Sequence, residues 1–175
     1  MQPNLILVGF MGTGKSSVGR RLAPRLNLEF IDMDPVIEAR QQMPISRIFA
    51  ERGEAAFRAL ERELARELAP AAGRLIATGG GVVLDPRNLA DFRSGGLVVC
   101  LTADPDTLLA RVAHNRDRPL LEAEDRRRRI VELLAQRRPI YEAITPAIDT
   151  SALTFDQIAD EIAARYESFR STFTG

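Results

Sequence analysis

Cysteine, histidine and lysine each occur once in this 175-residue chain, and each scarcity closes off a class of chemistry. A single cysteine cannot form a disulfide within the chain, which fits a reducing compartment. Cys100 sits in the apolar run Leu97-Val98-Val99-Cys100-Leu101 and reads as a small buried hydrophobe. One cysteine and one histidine cannot build a Cys/His metal cluster. His114, near the end of a helical stretch, is assigned no role. No apolar stretch approaches the roughly 20 residues of a membrane span. No signal-peptide pattern precedes the first strand. Formal net charge is zero, so no whole-molecule field draws the chain to nucleic acid or an acidic membrane. With 45% hydrophobic and 27% charged residues, the composition is that of a soluble globular protein. One domain over 1–175, in the cytoplasm, is expected.

The one lysine is Lys15, in a chain with 23 arginines elsewhere. It closes Gly9-Phe10-Met11-Gly12-Thr13-Gly14-Lys15-Ser16, which fits the phosphate-loop pattern of Gly, four residues, then Gly-Lys-Ser. A strand-like run, Asn4 to Val8, precedes it and a helical run follows, the context that motif needs. Glycines let backbone N–H groups turn toward phosphate oxygens, and the following helix adds the positive end of its dipole. A compact ammonium suits such a loop better than a guanidinium fork. Lys15 reaches terminal phosphates, and the Ser16 hydroxyl suits Mg²⁺ brought by a nucleotide.

Further expectations follow along the chain. Helical spacing covers Lys15 to Leu26, with Pro24 kinking or ending it unless it falls in the last turn. Leu28 to Asp32 is a strand, followed by a helix from Pro35 to Gln42 capped by Asp34. Ser46 caps a short helix that Gly53 stops, and Glu54 to Leu68 is the clearest helix. Arg74 to Thr78 is a strand running into Gly79-Gly80-Gly81. Pro86 to Phe92 is helical, Ser94-Gly95-Gly96 a turn and Leu97 to Thr102 a buried strand. Asp104-Pro105 opens a helix through His114, Asn115 to Asp125 is a mobile loop, and Asp125 to Arg138 is helical. Ala147 to Thr150 is a last short strand. Thr154 and Gln157 form a capping box for the final helix, and the last five or six residues of the chain fray. Strands alternating with helices imply a parallel sheet with helices on both faces.

In such sheets ligands sit beyond the carboxyl ends of the strands. The phosphate loop, Asp32/Asp34 and Gly79–Gly81 all fall there. Asp32 and Asp34 suit a metal water and a substrate hydroxyl; a plain helix cap is the alternative for Asp34. The triple glycine leaves backbone N–H groups open to a close ligand. Arg58 lies three residues before Glu61, so that Glu61 can orient its guanidinium toward a carboxylate; from spacing alone an exposed surface ion pair is the stronger reading. Arg116 and Arg118 suit an arginine-finger role. The run Arg126 to Arg129 reads as a solvated helix face.

Taken together, the residues resemble the shikimate kinase family over nearly the whole chain. The resemblance rests on the phosphate loop with Ser16-Ser17, Phe30-Ile31-Asp32-Met33-Asp34, and Gly53 to Glu61 with Phe57-Arg58-Ala59-Leu60-Glu61. It continues through Thr78-Gly79-Gly80-Gly81-Val82-Val83, Arg118-Pro119-Leu120-Leu121 and Arg137-Arg138-Pro139-Ile140-Tyr141. It implies an α/β, three-layer P-loop kinase fold with a five-stranded parallel sheet flanked by helices and a lid loop at about 115–125. It also implies phosphoryl transfer from ATP to the 3-hydroxyl of shikimate. By position, Gly12, Thr13, Gly14, Lys15, Ser16, Ser17, Arg111 and Arg118 would serve ATP. Ser16 and Asp32 would hold Mg²⁺. Asp34, Arg58, Gly79, Gly80, Gly81 and Arg137 would bind shikimate, and Lys15, Asp34 and Arg118 would act in catalysis. The resemblance moves Arg58 from the surface to the acceptor. Two departures stand out: Pro24 in the first helix, and Ser151-Ala152-Leu153-Thr154 without the arginine often found in the family's adenine-contacting loop. A monomer acting on a small molecule is expected, without nucleic acid or membrane. A related kinase such as gluconate kinase and a non-catalytic nucleotide-binding regulatory module are the alternatives.

Overall fold

The run Asn4–Gly9 forms strand β1, and all six of its residues are buried. In the computed structural model, which describes residues 2–112 and 126–173, β1 lies mid-sheet. It pairs with β3 (Arg74–Ala77) on one side and β4 (Gly96–Thr102) on the other. Strand β2 (Glu29–Asp32) lies outside β3 and β5 (Ala147–Asp149) outside β4. The order is β2-β3-β1-β4-β5, with every pair parallel.

Alternation along the strands divides the apolar residues between two faces. Leu5 and Leu7 join Leu75, Val99 and Leu101 in a cluster with Val18, Leu22, Ile158 and Ile162. Ile6 and Val8 join Ile76, Val98 and Cys100 on the other face, against Met33, Leu64, Phe92 and Ile130. Helices α1 (Lys15–Arg25) and α7 (Phe155–Thr172) cover the first face. Helices α2 (Met33–Gln41), α3 (Ile45–Leu68), α4 (Pro86–Gly95) and α6 (Arg126–Glu142) cover the second, where α5 (Pro105–Val112) also packs through Leu108. Both faces are covered, as an all-parallel sheet requires. Among the described residues no helix is long and apolar enough to cross a membrane.

Pro24 falls in the last turn of α1, where the helix was about to end, so it neither kinks nor shortens the helix. Helix α2 begins at Met33 rather than Pro35. Asp32 takes the cap position without a side-chain capping bond, and Asp34 lies inside the first turn. Gly53 stops the first of the two expected helices: its backbone (φ 79°, ψ 169°) is not helical, and α3 is two helical segments that meet at a kink there; Pro44 rather than Ser46 precedes the first turn. The Glu38 carboxylate accepts the Ile45 N–H at 2.8 Å, which replaces a serine cap.

No turn forms at Ser94-Gly95-Gly96: α4 runs through Gly95 directly into β4. The two glycines answer to close packing instead, since a Cβ on Gly95 would overlap the Ala69 carbonyl and one on Gly96 the Asn4 carbonyl. Helix α6 continues past Arg138 to Glu142 with Pro139 inside it. Helix α7 has its Thr154/Gln157 capping box and stays helical to Thr172, so residues 170–172 do not fray as expected; 174 and 175 lie outside the described residues. His114, Arg116, Arg118 and the lid loop lie outside the described residues.

Candidate active site

The carboxyl ends of β1, β2 and β3 carry the phosphate loop, the Asp32/Asp34 segment and the triple glycine to one edge of the sheet. Gly12 and Gly14 hold positive φ (83° and 98°), where a side chain is strained, and Gly14 directly precedes α1. The Thr13 hydroxyl donates to the Phe10 carbonyl at 2.8 Å. Lys15 is buried, and its Nζ donates to the carbonyls of Gly9 (2.9 Å) and Phe10 (2.8 Å). The ammonium thus lies over the loop that its own backbone closes.

This loop and the N-terminal turn of α1 line a cleft with Ser16, Ser17, Asp34, Thr78, Arg111 and Phe155. The Asp32 side chain hydrogen-bonds Ser16; burial raises its pKa, and nearby Asp34 adds to the rise against the Ser16 bond. A hydroxyl and a carboxylate already in contact form a hard oxygen pair beside a phosphate loop. That donor set fits Mg²⁺, which takes few protein ligands and completes its shell with phosphate and water.

Arg111, from α5, donates to the Thr150 hydroxyl (2.9 Å), the Thr150 carbonyl (2.7 Å) and the Gly12 carbonyl (3.4 Å). The buried Thr150 hydroxyl also lies 2.9 Å from the Thr102 carbonyl and 3.3 Å from that of Thr13. This knot joins the ends of β4 and β5 to the phosphate loop. Phe155, the first residue of α7 and one of few exposed large hydrophobics among the described residues, lines the same cleft.

A second cleft opens beside the first, lined by Met11, Phe49, Phe57, Arg58, Glu61, Gly79–Gly81 and Arg137. Asp34 lines both clefts. Placing Asp34 within the first turn of α2, not at its cap, leaves the carboxylate facing this junction.

Arg58 is not the exposed ion pair that spacing suggested. It pairs with Glu61, whose side chain is 1% exposed, and with Glu54 at 2.8 Å on the outer side. Burial pushes the Glu61 carboxyl up against the downward pull of Arg58. The glycine run is the packing surface for this network. A Cβ on Gly79 would overlap Glu61 Oε1 and crowd Asp34 Oδ1 at 3.0 Å. On Gly80 it would press the Met11 N at 3.2 Å, and on Gly81 it would overlap the Arg58 guanidinium. Each glycine therefore serves a different part of the site. Arg137, buried on α6, has its guanidinium 5.9 Å from the Phe10 ring centroid and sits beside the Tyr141 phenol, whose pKa it pulls down against burial.

The expected residues of loop, carboxylates, glycines and arginines thus converge, apart from Arg118, which lies outside the described residues. Three further residues of the site had no role in the sequence reading. Tyr141 stands four residues after Arg137, a helical neighbour spacing that could have flagged it. Thr150 and Phe155 lie beyond the last strand, where nothing in the local sequence points back to the first loop.

A model of the shikimate kinase family matches residues 11–167. Among curated relatives, the shikimate kinase of Thermodesulfovibrio yellowstonii is 43% identical over 94% of this chain and 95% of its own. The solved shikimate kinase from Acinetobacter baumannii, in complex with shikimate, superposes with a TM-score of 0.91 at 33% identity, covering 99% of this chain and 97% of that one. A gluconokinase from Sinorhizobium meliloti 1021 reaches a TM-score of 0.62 at 19% identity over 97% of this chain and 94% of its own, a likeness of fold alone.

Proposed function

Since this chain belongs to the shikimate kinase family and is an ATP-dependent kinase of shikimate, we propose how its two clefts divide the reaction. The observation that carries the division is Asp34, which lines the phosphate-loop cleft and the arginine-lined cleft at once. The first cleft takes ATP. Backbone N–H groups of Gly12 to Ser17 receive the phosphates, and Lys15 leaves the loop carbonyls for the γ-phosphate. Arg111 and Phe155 flank the base, with the Phe155 ring offering a stacking face. Ser16 and Asp32 would hold Mg²⁺, which would supply neutralisation of charge on the phosphate oxygens.

The second cleft takes shikimate. Arg58 and Arg137 grip its carboxylate, and Gly79, Gly80 and Gly81 line the ring's position. Asp34 accepts a hydrogen bond from the 3-hydroxyl and takes its proton as the oxygen attacks the γ-phosphorus. The bond from that phosphorus to the ADP oxygen breaks in line. Lys15 and Arg118 stabilise the charge that spreads over the transferring oxygens. The protein acts as a cytoplasmic monomer, which light scattering tests; a dimer at working concentration overturns that point.

ADP release with ATP·Mg²⁺ and a panel of acceptors tests the whole reading. Shikimate should drive turnover, and Arg58→Ala should weaken shikimate use far more than ATP use. Turnover with gluconate but not shikimate would reassign the acceptor. ATP binding without any acceptor-driven turnover would point to a regulatory module.

A further inference from the structure

Tyr141 lies one turn beyond Arg137 on α6 and is 5% exposed. Its hydroxyl donates to the Gly80 carbonyl at 2.7 Å. A phenol has one proton. With that proton committed to Gly80, Tyr141 Oη faces the nearby Arg137 guanidinium only as an acceptor. The result is a polarised line from the Arg137 guanidinium past Tyr141 Oη to the Gly80 carbonyl. Burial pushes the phenol up to about 12, so it remains a donor across the working range of pH.

Both ends of this line matter to the acceptor cleft. At one end, Arg137 has a competing attraction. Glu61 also pulls on it, and Glu61 Oε1 is buried without a hydrogen-bond partner among the described residues. An acceptor at Tyr141 gives the guanidinium a fixed alternative to collapsing onto Glu61. At the other end, the peptide unit is planar and trans, so turning the Gly80 carbonyl to Tyr141 turns the Gly81 N–H the opposite way. Gly81 is the residue against which Arg58 lies. One hydroxyl therefore braces the segment under Arg58 and the side chain of Arg137.

We propose that Tyr141 is a positioning residue of the acceptor cleft: its hydroxyl, anchored on the Gly80 carbonyl, aims the Arg137 guanidinium at the substrate carboxylate. This rests on the assignment of Arg137 to that carboxylate made above. Tyr141 touches neither substrate; it works through Arg137 and Gly80.

The test is steady-state kinetics on three variants with both substrates varied. Tyr141→Phe should raise the KM for shikimate about tenfold, with the KM for ATP and kcat changed less than about twofold. Arg137→Lys, which loses the planar fork, should raise the shikimate KM at least as much. The double variant should be no worse than Arg137→Lys alone, because both changes remove one interaction. Effects that multiply in the double variant would overturn the proposal, as would a Tyr141→Phe enzyme that loses ATP and shikimate affinity equally. If Arg137→Lys weakens shikimate and Tyr141→Phe does not, the proposal falls and the assignment of Arg137 stands. If Arg137→Lys leaves the shikimate KM unchanged, both fall.

Discussion

Gly81 lies so close beneath the Arg58 guanidinium that a Cβ on the glycine would overlap it. The atoms in the way are the end of a flexible side chain rather than backbone. The fold can therefore absorb a methyl group by moving Arg58, and the loss should appear in substrate binding more than in stability. Gly81→Ala should raise the shikimate KM about tenfold or more, leaving the ATP KM unchanged. Gly80→Ala presses on the phosphate-loop N–H of Met11 at 3.2 Å and should disturb ATP binding too. Kinetics with each substrate varied separate the two; equal patterns from both variants would refute this division of the glycines.

Glu61 should matter for the same reason from the other side. Its buried carboxylate and the outer Glu54 hold Arg58 between them. Glu61→Ala leaves Arg58 with Glu54 alone and opens a buried space. Because Arg58 keeps a partner and partial exposure, the stability loss should be about 1–3 kcal/mol, short of that for a fully buried orphaned charge. Urea denaturation measures it, and a loss near zero would mean that the pair is energetically idle.

Lys15→Met removes the ammonium from the phosphate loop while keeping the length of the side chain. Turnover should fall by about a thousandfold or more, with circular dichroism unchanged. Near-normal kcat in this variant would remove Lys15 from the transition state.

Phe155 stands exposed at the start of α7 and lines the phosphate-loop cleft. Losing one aromatic face should weaken base stacking, so Phe155→Ala should raise the ATP KM by roughly three- to tenfold without affecting shikimate. Unchanged ATP affinity in a titration of the variant would place the base elsewhere.

Asp104 caps α5, the helix that presents Arg111, by accepting the Thr107 N–H and hydroxyl, each at 2.8 Å. Those bonds, with Ser151, lower its pKa from 3.8 to about 2. The folded state prefers the ionised form, so this contribution is full above pH 3.8 and disappears as pH falls through about 2. Asp104→Asn retains a capping oxygen but cannot ionise. Its melting temperature should lie below that of the natural chain at pH 7 and converge with it by pH 2; a constant gap across that range would exclude the linkage.

The phosphate loop, the strand ends and the alternation of strands and helices were legible in the sequence because each is a local pattern. Gly-x-x-x-x-Gly-Lys-Ser, Asp-x-Asp and a run of three glycines encode backbone shape and charge within a few residues. Boundaries that depend on distant partners were not legible. Gly95 and Gly96 look like a turn, yet they mark close approach to Ala69 and Asn4, some 26 and 92 residues away in the chain. Ser46 looks like a cap, but the Glu38 carboxylate performs that task from the preceding helix.

The sequence by itself determined that a phosphate site exists and where along the chain its parts lie, because the lone lysine and its glycines carry that chemistry wherever the loop is placed. Only the tertiary structure decided what those parts do to one another. It buried Glu61 and so changed Arg58 from a surface ion pair into an aimed cation. It moved Asp34 off the helix cap to the junction of two clefts, and it brought Tyr141 of the sixth helix to a carbonyl 61 residues earlier. Contacts of that kind arise from closing the parallel sheet and packing helices over its faces, and spacing along the chain holds no record of them.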